Sequence, residues 1–110
     1  MSIKDSSVID YITISRTKSI ANFIIVDDLD WDQNEEDDKE HMWLLQEKIN
    51  AYIAAIESGD LEEGYPGITD MRKTICIYTK YQTSVKFQEY IPYIQSVLAT
   101  LDVSLEVELV

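Results

Sequence analysis

The 110-residue sequence predicts an α+β fold. The expected architecture is a two-layer sandwich of element order β-β-α-β-α-β, with two helices on one face of a four-stranded mixed sheet. Three observations carry this expectation. Two β-branched runs lie close together near the N-terminus, two later segments repeat apolar residues at helical spacing, and the last residues alternate strictly between apolar and polar. A chain of this length buries about two-thirds of its extended surface, enough for one core and one domain spanning residues 1–110 without disulfides or metals.

The elements follow in order. Val8, Ile12 and Ile14 alternate with Ile9, Tyr11 and Thr13, and after the polar turn Arg16-Thr17-Lys18 the run Ile20-Ala21-Asn22-Phe23-Ile24-Ile25-Val26 begins. Both runs suit a pleated surface, and the short link predicts an antiparallel hairpin whose turn lacks glycine. Strand character stops at Asp27, and a helix is expected to start between Asp32 and Asp38. Asn34 is a candidate cap, as is Asp37 with Glu40 completing a capping box. At 100° per residue, Met42, Leu45, Ile49, Tyr52, Ile53 and Ile56 fall inside an arc of about 100°, the stripe expected to face the core. Ser58-Gly59 supplies the stop, and residues 61–70, with Gly64, Pro66 and Gly67, read as a connecting loop.

Residues 73–81 read as a third strand. Thr83 or Ser84 caps a second helix, in which Phe87, Ile91, Ile94, Leu98 and Leu101 recur at 4-3-4-3 spacing. Pro92 falls on the opposite, solvent side of that helix. The closing alternation over residues 103–109 requires one buried and one wet face, which is why only one side of the sheet is expected to carry helices.

Charge narrows the function. Against 21 acids stand 9 bases, a net of −12, and residues 27–40 alone hold nine acids and one lysine. Two like charges ~6 Å apart in water repel by about 0.7 kcal/mol, and capping one helix needs only two or three acids. The surplus predicts either a solvated face or a docking surface for a basic partner, and it opposes nucleic-acid binding. A calcium loop counted from Asp28 places Asp30, Asp32 and Asn34 correctly but has Gln33 where glycine is required and Lys39 where the bidentate glutamate belongs, so no metal or other cofactor is expected. Trp31 lies among the acids and Trp43 falls outside the core stripe, so each either covers a loop or the edge of the sheet or serves as an interface anchor.

The segments Leu29-Asp30-Trp31-Asp32, Leu45-Gln46-Glu47-Lys48-Ile49-Asn50-Ala51-Tyr52 and Glu57-Ser58-Gly59 resemble a family of small bacterial proteins of unknown function. The likeness is close over residues 5–60, and the opening Val8-Ile9-Asp10 fits it. It implies no chemistry. The added acids at Glu35, Glu36, Asp37 and Asp38 depart from the family pattern, and in size and charge the chain is similar to the acidic immunity proteins of contact-dependent toxin systems.

Catalysis finds little support in the sequence. His41 is the single histidine, at the margin of the first helical stripe, and reads as a satisfied half-buried or surface residue. Cys76, alone and mid-strand, reads as an inert core thiol; it excludes an internal disulfide and fits a reducing cytosol. Glycine-rich phosphate loops, Cys-x-x-Cys and metal-spaced histidines are all missing. With no apolar run near 18 residues and no signal-like start, the expected place is the cytoplasm. The expected function is a binding protein that neutralises a basic toxin domain, nuclease-like in charge, with no enzymatic activity of its own. Asp28, Asp30, Asp32, Glu35, Glu36, Asp37, Asp38 and Glu40 would supply the acidic surface, and Trp31 and Trp43 the anchors. The alternative is a small housekeeping domain that binds a small molecule or self-associates.

Overall fold

Four strands lie side by side in chain order. They are β1 (Tyr11–Ser15), β2 (Ile20–Asp27), β3 (Arg72–Thr79) and β4 (Val103–Leu109). The computed structural model describes residues 11–31 and 35–110, with the backbone alone described at residues 35–37. The hairpin β1–β2 is antiparallel, and β2–β3 and β3–β4 are parallel, so the sheet is mixed as expected. Ser19 closes the hairpin with φ 55°, taking the left-handed conformation that glycine would otherwise supply. Its carbonyl accepts from Arg72 N–H at 2.9 Å and fixes the start of β3.

Parallel neighbours need crossovers, and here both are helical: α1 (Glu35–Ser58) joins β2 to β3, and a second long helix joins β3 to β4. Right-handed crossovers that step across the sheet in the same direction place their helices on the same face. The register shows which face that is. Ile12, Ile14, Ala21, Phe23, Ile25, Ile75, Ile77, Val103 and Leu105 all point into one core with residues of both helices. On the other face the rows read Tyr11–Ile24–Cys76–Glu106 and Val26–Tyr78–Glu108. The exposed Ser104, Glu106 and Glu108 of β4 form the wet side of the predicted alternation.

Several local expectations change. The segment 61–70 is not plain loop: it contains α2 (Leu61–Gly64) and a 3₁₀ turn at Ile68–Asp70. Glu62 draws this segment together by accepting from the Gly67 N–H at 2.6 Å, the Thr69 N–H at 3.0 Å and the Thr69 hydroxyl at 2.7 Å. Gly67 sits at φ 88°, where a side chain would be strained. These bonds, the Thr69 hydroxyl foremost, hold the Glu62 carboxyl below its usual range. Its contribution to stability is present above the ordinary carboxyl value and is lost as pH falls through the lowered one.

The second long helix, α3 (Val85–Ala99), is capped by Ser84, whose hydroxyl accepts from Phe87 N–H at 3.1 Å. It ends before Leu101, which leaves the predicted stripe and is 39% exposed. In α1, Asp37 lies inside the helix and is no cap, while the alternative cap Asn34 lies outside the described residues.

The largest change is the rotation of α1. Its buried side is Asp38, His41, Leu45, Lys48, Ile49 and Tyr52, while Met42, Ile53 and Ile56 are only half-buried. The helix is turned from the expected stripe toward three ionisable residues. Tyr52 remains a core anchor, with its hydroxyl donating to the Ile24 carbonyl at 2.6 Å. Lys48 is fully buried, its ammonium 5.8 Å from the Tyr52 ring centroid.

Leu98 of α3 and Ile49 of α1 sit in the centre of this core. Leu98→Asp and Ile49→Asp each place an unpaired carboxylate there at a cost of several kcal/mol, so each variant is expected to lose its cooperative thermal transition in circular dichroism. A sharply melting Leu98→Asp protein would overturn the packing of α3.

Candidate functional site

The inward alternation of β2 runs Ala21, Phe23, Ile25 and then Asp27. The fourth inward position is therefore a carboxylate, fully buried beside Thr79 at the carboxyl ends of the parallel strands. Three contacts account for it. Asp27 Oδ2 lies 2.6 Å from His41 Nε2, and Oδ1 accepts from Leu29 N–H at 3.1 Å, turning the chain off the sheet. The backbone carbonyl of Asp27 accepts from Lys80 N–H at 3.0 Å.

Trp31 closes over this pair. Its indole stacks on the His41 ring at 3.6 Å between centroids and 17° between planes, and on Phe87 at 5.0 Å and 28°. The end of β2, the chain leaving it, the first turns of α1 and the first turn of α3 thus meet at one point. Among the described residues, three buried polar atoms there have no hydrogen-bond partner: Trp31 Nε1, Asp38 Oδ1 and His41 Nδ1.

The arrangement holds the imidazole in place: Nδ1 is buried, and on α3 the Ser84 hydroxyl is committed to its helix cap. Cys76 lies on the opposite face of the sheet, in the row with Ile24 and Glu106, so a Cys76–His41 pair is sterically impossible. The thiol is buried, and burial first, then the Glu106 and Glu108 carboxylates, push it up to about 11. Among the described residues, no three histidine, cysteine or acidic side chains come together to hold a metal ion. Among them too, no helix is long and apolar enough to cross a membrane.

The residues expected to dock a partner divide into two groups. Asp28, Asp30 and Glu40 are exposed, and Trp43 is 59% exposed in the middle of the solvent face of α1. Trp31 and Asp38 are buried, which corrects both assignments: the indole is committed to His41 and Phe87, and Asp38 shares the inward stripe of α1. Neither reaches a partner from the closed chain. Asp32, and the side chains of Glu35, Glu36 and Asp37, lie outside the described residues.

Sequence reasoning counted Asp27 within the acidic docking run 27–40, from which its burial removes it, passed over Lys48 and set His41 at the margin. A signal was present. Asp38, His41, Leu45, Lys48 and Tyr52 recur at 3-4-3-4 spacing, the same period that identified α3, but three of the five are ionisable and an apolar count skips them.

A family model, described as a family of unknown function, matches residues 1–110. No curated protein and no solved structure matches the chain.

Two measurements check this site. Asp27→Ala strips His41 of its partner and is expected to destabilise the chain by about 3–5 kcal/mol in urea unfolding, while Asp27→Asn, which keeps an acceptor, is expected to cost less. Equal losses would show that the pair does not organise the corner. With its pKa moved from 9.0 to about 11, Cys76 carries roughly 100-fold less thiolate near pH 8 than a free cysteine. The native chain is therefore expected to react with a thiol reagent at least ~100-fold more slowly than the urea-unfolded chain, and matching rates would refute the burial of Cys76.

Proposed function

The chain belongs to that family, DUF6572, and we propose that it is a bacterial, cytosolic, immunity-protein-like inhibitor that neutralises a basic toxin domain through the acidic, helix-bearing side of the molecule. The observation that carries this reading is Trp43: a large ring 59% exposed on α1, with the exposed Glu40 before it and Glu47 after it, on a chain of net charge −12. An exposed tryptophan inside a like-charged surface is the pattern of an anchor surrounded by steering charge.

Each element of the reading has a physical task. The acids repel one another in the free chain, and a cationic surface relieves that repulsion. The same field draws a positively charged domain in quickly and repels nucleic acid and anionic lipid. Inhibition would be by occlusion, with Asp28, Asp30 and Glu40 meeting the lysines and arginines of the toxin's active site while Trp43 fills an apolar recess. The buried pair Asp27–His41 takes no part in contact and sets the angle at which α1 presents Trp43.

The test begins with the genes next to this one, where a basic toxin-like domain directly upstream is expected and its absence counts against the reading, and continues with co-expression of the two chains. Growth is expected to be rescued by the wild type and impaired for the triple variant Asp28→Asn, Asp30→Asn, Glu40→Gln. In vitro the triple variant should associate at least ~10-fold more slowly at low salt, with the gap closing as salt shortens the ~10 Å screening length, and with its melting temperature equal or slightly raised. Trp43→Ala should raise the dissociation rate instead. Unchanged association at low salt would overturn the acidic docking surface.

A further inference from the structure

Between α1 and α3 runs a shallow groove enclosing about 100 Å³, with Gln46, Asn50 and Ile53 on one wall and Tyr90, Tyr93 and Val97 on the other. Resting on the reading above, we infer that this groove is the seat of an amphipathic helix presented by the basic partner.

The geometry points to a helix. Gln46 and Ile53, like Tyr90 and Val97, lie seven positions apart, a rise of about 10 Å or two helical turns. Both helices run from the carboxyl ends of the parallel strands back to the start of the next strand, so their ridges run in the same direction. Two such ridges form a trough into which a third helix fits with anchors spaced i, i+3 or i+4, and i+7. The side chains suit that use. Tyr93 is 59% exposed and Val97 is 42% exposed, and with Tyr90 they make an apolar stripe on α3 that is separate from its buried stripe of Phe87, Ile94 and Leu98. The Tyr90 and Tyr93 rings lie 5.3 Å apart, and a 3.5 Å hydrogen bond from the Tyr90 hydroxyl to Gln46 spans the trough. Trp43, one turn before Gln46 on the same side of α1, extends the apolar surface beyond one end.

Charge selects the occupant. A second copy of this chain would bring −12 against −12, whereas a helix rich in lysine and arginine is attracted by the net charge and by one acid on each helix beside the groove. Glu57 lies one turn beyond Ile53 on α1, and Glu89 one turn before Tyr93 on α3, both exposed. A basic helix therefore buries leucine-like anchors in the trough and directs its cations to those two carboxylates.

The probe is a synthetic 14-residue peptide with leucines at 3-4 spacing and lysine or arginine elsewhere, compared with a scrambled peptide of the same composition. Each is titrated into the full chain at low and at 300 mM salt, followed by tryptophan fluorescence and backbone amide NMR shifts. The ordered peptide is expected to bind at least ~10-fold more tightly than the scramble, to keep that advantage at 300 mM salt, and to shift Gln46, Asn50, Tyr93 and Val97. Tyr93→Ser and Val97→Ser, both at exposed positions, should reduce it to the level of the scramble without moving the melting temperature. Equal binding of the two peptides, with shifts confined to Asp28, Asp30 and Glu40, would overturn the groove and leave the acidic docking surface standing. Binding of neither peptide at low salt would overturn both readings. A concentration-dependent dimer abolished by Val97→Ser would assign the groove to a second copy and overturn the basic helix.

Discussion

The carboxylate of Asp27, closed off from water at the end of β2, is the constraint around which one corner of the molecule is arranged. An ionised group in that position requires a close partner, and His41 meets it at 2.6 Å. Bringing His41 to β2 turns the whole of α1, which carries Asp38 and Lys48 inward with it and moves Met42, Ile53 and Ile56 to the flank. Its second oxygen receives Leu29 N–H and starts the chain toward Trp31, which then lies over the imidazole and reaches Phe87 of α3. A buried pair of this kind adds little net stability, since an apolar pair of the same shape would serve equally well. What it adds is a single permitted rotation of α1, because any other would leave a carboxylate buried alone.

That rotation determines what the protein shows to its surroundings. By drawing Trp31 and Asp38 inside, the corner leaves Asp28, Asp30 and Glu40 as the exposed acids near it and puts Trp43 at the centre of the outer face of α1. The outward surface and the buried polar corner are therefore two results of one helix orientation.

Topology bears on where the proposed docking surface sits. Both crossovers step across the sheet in the same direction, so the strand order never reverses and the crevice that small ligands commonly occupy in parallel sheets does not arise. The opposite face offers Cys76 with a raised pKa, sealed between Ile24 and Glu106 in its row, and the carboxylates of β4. The apolar surface left to outside contact in the helical layer includes Trp43 on α1 and, on α3, Val85 and the stripe Tyr90, Tyr93 and Val97.

The sequence by itself determined the element order, the sidedness of the sheet and most boundaries. Residues 103–109 alternate so strictly that their strand and its wet face follow directly, and Phe87, Ile91, Ile94 and Leu98 repeat at a period only a helix satisfies. Ser84 and Gly59 mark helix ends through local chemistry, a hydroxyl that accepts a free N–H and a residue at φ 77°. These features are encoded within a few neighbouring residues. The rotation of α1, the burial of Asp27, Asp38, His41 and Lys48, and the inward turn of Trp31 were decided only by tertiary structure. Polar side chains enter a core when partners distant in sequence meet them, as Asp27 meets His41 across 14 positions, and local hydrophobic periodicity contains no information about such partners.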